Sequence, residues 1–159
     1  GIDPPKESGY VPLIRFQYTN VIFGVEVNKK NFPTEYLDLL KDEVKAFLFL
    51  ATTMADGSPQ VTPIWFNADD NYILINTNEG RTKDRNMKAR PKVALVIQDP
   101  NDGYRYLGIR GEIAEHTTQG ADEHINQLAL KYDNEPWKYR VGQKRIIYKI
   151  KPIHLDKHN

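Results

Sequence analysis

The chain has 159 residues, 40% of them hydrophobic and 27% charged, which suits a single domain built around one core. Its 22 Lys and Arg against 21 Asp and Glu leave a formal net charge of +1, so nucleic acid is not favoured as a partner. The lack of cysteine excludes disulfides, thiolate metal sites and cysteine nucleophiles. No apolar run approaches the roughly 20 residues of a membrane span, so we expect a cytoplasmic protein without a membrane partner.

The first 32 residues have no regular periodicity, and we expect an irregular arm before a single domain at 33–159. Thr34 is a candidate N-cap for a short helix that ends between Asp42 and Val44. A basic helix at 82–89 and an amphipathic helix at 118–132 are also predicted. The predicted strands lie at 47–53, 60–67, 72–77, 93–98, 106–116 and 145–151. Short strands linked by turns predict a mainly β (α+β) fold with a six- to seven-stranded antiparallel, barrel-like sheet.

Residues 80–92 hold six cations and one acid in a chain that is otherwise balanced. Arg81 and Lys83 lie at the predicted start of a helix, where the macrodipole makes cations unfavourable. A bound phosphate would offset this, because it accepts hydrogen bonds from the free N–H groups of a helix start and from an arginine fork. A solvated basic face, with Arg81, Arg85 and Lys88 at helical spacing, explains the composition about equally well.

Two further segments are compatible with a cofactor. Pro63 lies inside a predicted strand, where a proline marks a bulge, an edge or a backbone that faces a ligand such as a planar ring. Packing of the neighbouring Trp65 into the core is at least as good an explanation. Asn76 and Thr77 end the next strand and suit the polyol or phosphate of a nucleotide-like cofactor, although turn chemistry alone explains them better.

The order of these motifs resembles the pyridoxamine-phosphate-oxidase-like FMN-binding split barrels. The resemblance covers residues 35–155, and its motifs are at 56–60, 61–65, 76–77, 80–86 and 99–111. More narrowly, the chain is similar to small reductases that depend on the deazaflavin coenzyme F420. The resemblance implies a split barrel and a symmetric homodimer, in which the apolar residues 21–25 would help to bury the interface.

The resemblance also implies a site, with the cofactor ring along the second strand and its phosphate at the basic helix. The residues that would flank the ring are Thr62, Pro63, Ile64 and Trp65. The residues that would hold the tail are Asn76, Thr77, Arg81, Thr82, Lys83, Arg85 and Asn86. No catalytic side chain is assigned, because a flavin-type cofactor carries out the hydride chemistry itself.

The implied activity is that of an oxidoreductase that transfers a hydride between F420, or alternatively FMN, and a small conjugated organic substrate. Arg85, Lys88 and Arg90 favour F420, whose tail is longer and acidic. Residues 135–140 do not match the substrate-binding signature of true pyridoxamine phosphate oxidases, so vitamin B6 oxidation is not expected. The alternative from another class is a protein that carries a flavin or haem without turnover.

Histidine and tyrosine give weaker signals. The four histidines lack zinc-like spacing, so no metal site is expected and we interpret them as structural or solvent-facing. Tyr104 and Tyr106 would either close over a cofactor ring or, as is more frequent for aromatic residues in strands, pack into the core.

Overall fold

The computed structural model describes residues 31–158, which form seven strands and three helical segments. The helical segments are a 3-10 helix at Thr34–Leu40, α1 at Thr82–Ala89 and α2 at Ala121–Asp133. The strands are β1 (Phe47–Thr53), β2 (Pro59–Ile64), β3 (Phe66–Ala68), β4 (Ile73–Asn78), β5 (Lys92–Asp99), β6 (Asp102–Thr117) and β7 (Arg145–His158). The predicted arm lies outside the described residues except for its last two, of which Phe32 is buried.

The strands form one antiparallel sheet in the order β2-β1-β5-β6-β7-β4-β3. Its two edge strands, β2 and β3, are consecutive in the chain and are separated only by Trp65. The sheet must therefore curl until its edges meet without pairing, which produces a barrel that is split along this seam. The predicted fold class, a mainly β antiparallel split barrel, is confirmed.

The position of the seam shows that one predicted strand is wrong. The strand predicted at 60–67 is two strands, because Leu48 to Thr53 of β1 pair with β2 whereas β3 pairs with β4. Pro63 lies on β2, an edge strand that pairs with β1 only. Its lack of an N–H group therefore costs the sheet no hydrogen bond to a second neighbouring strand. The strand therefore ends at the barrel's seam, which hydrophobic periodicity does not reveal.

Two other predicted boundaries also change. The first helix is a 3-10 helix that ends at Leu40, and its N-cap residue is Pro33 rather than Thr34, with no side-chain cap. Strand β7 continues to His158 because β6 pairs with it as far as that residue. Helix α1 begins and ends where it was predicted, and α2 buries Ile125 and Leu128 on its apolar face.

Candidate functional site

A cavity of about 520 Å³ lies where the barrel seam, the start of α1, helix α2 and the segment at 134–144 meet. This volume is in the range of small-molecule and cofactor pockets. The structure brings most of the predicted site residues to this cavity, although they come from three separate parts of the chain. The predicted residues that line it are Pro63, Ile64, Trp65, Asn76, Thr77, Arg81 and Lys83.

One wall of the cavity is apolar and aromatic. Trp65 stacks on Tyr132, with ring centroids 5.4 Å apart and planes 4° from parallel, and its ring meets Trp137 edge-on at 6.1 Å. The Tyr132 hydroxyl donates to the carbonyl oxygen of Ala46 at 2.8 Å, which fixes the stack to the start of the sheet. Trp65 therefore packs against other aromatic residues and lines the cavity at the same time, so the two interpretations of this residue are compatible.

The cationic wall of the cavity consists of Arg81, Lys83 and Arg145, the last of which lies against the Trp137 ring. None of them forms an ion pair within the described residues. Burial, together with the charges of Arg81 and Arg145, lowers the pKa of Lys83. Burial and the charge of Arg81 likewise lower the pKa of Arg145. Lys83 and Arg145 are thus partly desolvated, and the exposed Arg81 repels both of them, so this wall is suited to an anion.

The other charged residues that line the cavity do not cancel this positive charge. They are the cations Lys138 and Arg140 and the carboxylates Asp133 and Glu135. With Arg81, Lys83 and Arg145, five cations therefore line the cavity against two carboxylates. The protein as a whole is nearly neutral, so the positive charge is concentrated at this site.

A buried hydrogen-bond network lies behind the cationic wall. The Asn76 amide group donates to the carbonyl oxygen of Ala121 at 2.9 Å and to Nδ1 of His124 at 3.1 Å. Its oxygen accepts a bond of 2.8 Å from Nε of Arg145. His124 donates through Nε2 to Oδ1 of Asn67 at 2.9 Å. Burial, with a smaller contribution from Arg145, lowers the pKa of His124 to about 4, so the ring is neutral at pH 7.

Four of the predicted site residues do not line the cavity: Thr62, Thr82, Arg85 and Asn86. Asn86 is buried and donates to the hydroxyl of Thr52 at 3.0 Å, so it joins α1 to β1. Arg85 is exposed, and its guanidinium donates to the carbonyl oxygen of Gly80. The hydroxyl of Thr62 is buried and has no partner among the described residues.

The two other cations that suggested an acidic cofactor tail also lie away from the cavity lining. Lys88 pairs with Glu79 at 3.0 Å and with Asp84 at 3.3 Å. Arg90 donates to the carbonyl oxygen of Thr53 at 2.7 Å. Within the described chain both cations have protein partners, so they no longer favour F420 over FMN.

Sequence analysis did not single out the cavity residues after position 124 as binding residues, and three of them have unusual polar surroundings: Trp137, Gln143 and Arg145. The indole N–H of Trp137 and the amide oxygen of Gln143 are buried and lack partners in the part of the chain that the structure describes. Arg145 was visible only as a charge before an apolar strand. Its position beside the cavity depends on the pairing of β7 with β4, which no local pattern indicates.

The two tyrosines that the sequence singled out, Tyr104 and Tyr106, lie away from the cavity lining. Tyr104 is 88% exposed, so the expectation that it packs into the core is wrong for this chain by itself. Tyr106 stacks on His158 at 4.6 Å, and neither residue lines the cavity. Among residues 31–158 no cluster of histidine and acidic side chains is arranged to hold a metal ion. Nor does this part of the chain contain a helix that is long and apolar enough to cross a membrane.

A family model described as pyridoxamine 5'-phosphate oxidase matches residues 34–158, which is most of the chain. The chain belongs to the pyridoxamine 5'-phosphate oxidase family. The structure of an F420 reductase is 31% identical, covers 79% of this chain and 98% of its own, and has a TM-score of 0.69. The predicted resemblance to this superfamily is thereby confirmed, and membership supports a flavin-type oxidoreductase.

Two more distant members of this structural group show the fold alone. The conserved hypothetical protein Rv2991 from Mycobacterium tuberculosis is 20% identical, with a TM-score of 0.59 over 78% of this chain and 82% of its own. HupZ from Group A Streptococcus is also 20% identical, with a TM-score of 0.57 over 78% of this chain and 91% of its own. Both therefore share the fold of this chain.

Proposed function

We propose that this protein is an oxidoreductase that binds F420 in the cavity and transfers a hydride between it and a small conjugated organic substrate, with FMN as the alternative cofactor. One observation carries the proposal: a single cavity is lined both by stacked aromatic residues and by three cations that have no ion pair within residues 31–158. A tricyclic ring with a phosphate-bearing tail presents the complementary surfaces, since its ring is flat and its tail is anionic.

The residues present fit such a cofactor. Arg81 and Lys83 lie at the N-terminal end of α1, where the N–H groups of the first turn add to the positive potential. The unpartnered indole N–H of Trp137 is a further donor at the cavity. Pro63 and Ile64 provide an apolar strand edge for the ring. A neutral apolar ligand would leave these donors and charges without partners.

The protein's own contribution is binding, orientation and exclusion of water. When bound, the cofactor supplies the hydride chemistry. The stack of Trp65 on Tyr132 limits the positions open to a ring against the seam. The cations at the start of α1 would hold the anionic tail and so orient the cofactor in the cavity. The segment at 134–144 borders the cavity on the far side and leaves less of it open to water.

The preference for F420 rests on similarity. The F420 reductase shares 31% of its residues with this chain over nearly its whole length. The alternative of a carrier without turnover uses the same cavity. Haem is the less suitable carrier ligand, because none of the described lining residues is a His, Met, Cys or Tyr, the side chains that ligate haem iron.

Two measurements test the proposal. Mass spectrometry of the ligand released by heat from purified protein should identify F420 or, alternatively, FMN. Reduced F420 should then be reoxidised faster by a conjugated acceptor when the protein is added, which separates an enzyme from a carrier. Binding without any acceleration across a panel of acceptors would favour the carrier, and no binding of F420 or FMN would refute the proposal.

A further inference from the structure

Arg145 is a buried cation to which the described part of the chain offers few hydrogen-bond partners. It is the first residue of β7 and is only 7% exposed. Among the described residues its only side-chain hydrogen bond is the one from Nε to Asn76, so the terminal nitrogens of the guanidinium donate to no protein acceptor. The guanidinium carbon lies 5.0 Å from the ring centre of Trp137, which covers its other side. Arg145 lines the cavity, and its guanidinium is held there by Asn76 and Trp137.

Within residues 31–158 no carboxylate forms an ion pair with Arg145. Asp122 is the one carboxylate that raises the pKa of Arg145, and it forms no ion pair with it. Burial and Arg81 act in the opposite direction and prevail. A buried charge without a partner is unfavourable, so buried charges in proteins are nearly always paired. An anion that enters the cavity would supply the partner that the described residues do not.

Asn76 is unable to be that anion's donor. Both hydrogens of its amide group are used, one on the carbonyl oxygen of Ala121 and one on His124. Its oxygen faces Arg145, and an oxygen repels a phosphate. His124 is in turn held by Asn67, so the orientation of the amide is fixed from both sides. Asn76, which the resemblance assigned to the cofactor tail, is thus arranged to orient the guanidinium of Arg145.

We propose that Arg145 binds the anionic group of the cofactor directly through its terminal nitrogens, and that Asn76, fixed by His124, is the positioning residue that orients it. The inference rests on the proposed function and adds a third cation to the pair at the start of α1. Arginine suits this position because its planar fork contacts two phosphate oxygens, whereas lysine provides a point charge.

The test compares two ligands that differ in the phosphate. Fluorescence titration of FMN and riboflavin, or of F420 and its phosphate-free chromophore if only the deazaflavin binds, gives a phosphate selectivity for each variant. Arg145→Gln should weaken binding of the phosphorylated ligand about 10- to 100-fold and that of its partner by less than about twofold, as expected for a lost charge-assisted hydrogen bond. The phosphate selectivity of Arg145→Lys should lie between those of the parent and of Arg145→Gln. The melting temperature of the ligand-free protein should stay the same or rise.

The outcomes are distinguishable from failure of the proposed function. If the parent protein binds neither ligand pair, the proposed function fails. If the parent binds but Arg145→Gln weakens both members of the pair equally, or lowers the ligand-free melting temperature without changing the selectivity, Arg145 shapes the cavity and the inference is wrong.

The positioning role of Asn76 has its own readout. Asn76→Leu adds no charge and removes the oxygen that accepts from Nε of Arg145, so it should lower phosphate selectivity in the parent and have little further effect on it in Arg145→Gln. A full additional loss in the double variant would mean that Asn76 contacts the ligand itself, which would overturn the positioning role.

Discussion

Arg81 and Lys83 are cations at a helix start, and the helix does not need them there. The favourable charge in the first turn of α1 is Asp84, whose carboxylate accepts a bond of 2.8 Å from the N–H of Gly80. Tyr148 also donates to Asp84, so this cap is anchored to β7. The macrodipole opposes the two cations. Their effect on folding and their effect on ligand binding should therefore have opposite signs.

Arg81→Ala and Lys83→Ala should each reduce cofactor affinity at least tenfold, because each removes a charge-assisted contact to the phosphate. The ligand-free melting temperature should stay nearly unchanged or rise, since the helix start loses an unfavourable charge. Calorimetric titration and thermal unfolding measure the two effects. Lys92→Ala is the control, because Lys92 is an exposed β5 residue outside the cavity lining. If both variants bind the cofactor as tightly as the parent, the basic segment at 80–92 is a solvated surface and not a phosphate site.

Asn86 illustrates how two polar residues of one short helix have separate roles. It donates to Thr52 and accepts from Arg90 at 3.1 Å, so its amide group is used inside the protein. Lys83, three residues earlier, lies at the cavity instead. Three residues correspond to about five sixths of a helical turn. The partners of each residue therefore depend on which neighbouring strands the helix contacts.

At the level of secondary structure elements, the long β6–β7 pair carries the barrel past a bulge between Arg110 and Gly111. A Cβ atom on Gly111 would lie 2.7 Å from the carbonyl oxygen of Lys151 and 2.9 Å from Cγ2 of Ile150. Backbone cannot move away as a flexible side chain does, so only glycine fits this close approach.

Gly111→Ala should lower the free energy of unfolding by about 1–3 kcal/mol, the usual range for an overpacked interior site. Gly108→Ala, on the same strand, is the matched control, because its Cβ would meet Asp156 at an ordinary 3.5 Å. We expect the control to change stability by about 0.5 kcal/mol or less. Urea denaturation of both variants tests this, and equal stabilities would contradict the assigned crowding.

The seam element was only partly predictable. Pro63 indicated an edge, a bulge or a ligand-facing backbone, and the structure has it on an edge that borders the cavity. The break after Ile64 was not predictable, since residues on both sides of Trp65 have strand propensity. Whether such a segment is one strand or two depends on its partners, β1 and β4, which are distant in the chain.

At the scale of the whole molecule, the described barrel exposes large apolar side chains on several strands. Val61 and Ile153 are each 61% exposed, and Tyr104 is almost fully exposed. Exposed apolar residues of this size are common at interfaces, although single ones also occur on monomers. The predicted contribution of residues 21–25 to an interface lies outside the described residues.

We predict a symmetric homodimer with two equivalent cofactor sites. Light scattering at micromolar concentration should give twice the mass of the chain, because a second subunit would cover apolar side chains that a monomer exposes to water. Val61→Lys should weaken the dimer if β2 is part of the interface, with Lys92→Ala again as the neutral surface control. A monomer mass for the parent protein would refute this prediction.

Local sequence signals determined the elements and part of the site. The Asp-Gly turn, the alternating strands and the helix start at Thr82 are set by residues a few positions apart, and the structure contains each of them. The cations at 81 and 83 were recognised as a candidate anion site because the conflict with the helix dipole is itself local. The order of such motifs was sufficient to predict the family and the fold class.

Tertiary structure alone decided which charges share the cavity. Arg145 joins Arg81 and Lys83 through the pairing of β7 with β4, and Trp137 reaches the same cavity from the segment after α2. Arg85 and Asn86, from the same basic segment, instead contact protein groups. Contacts between residues more than 60 positions apart have no periodic signature in the sequence. They arise because burial of the apolar faces brings these strands together, and the polar side chains at their ends are then placed with them.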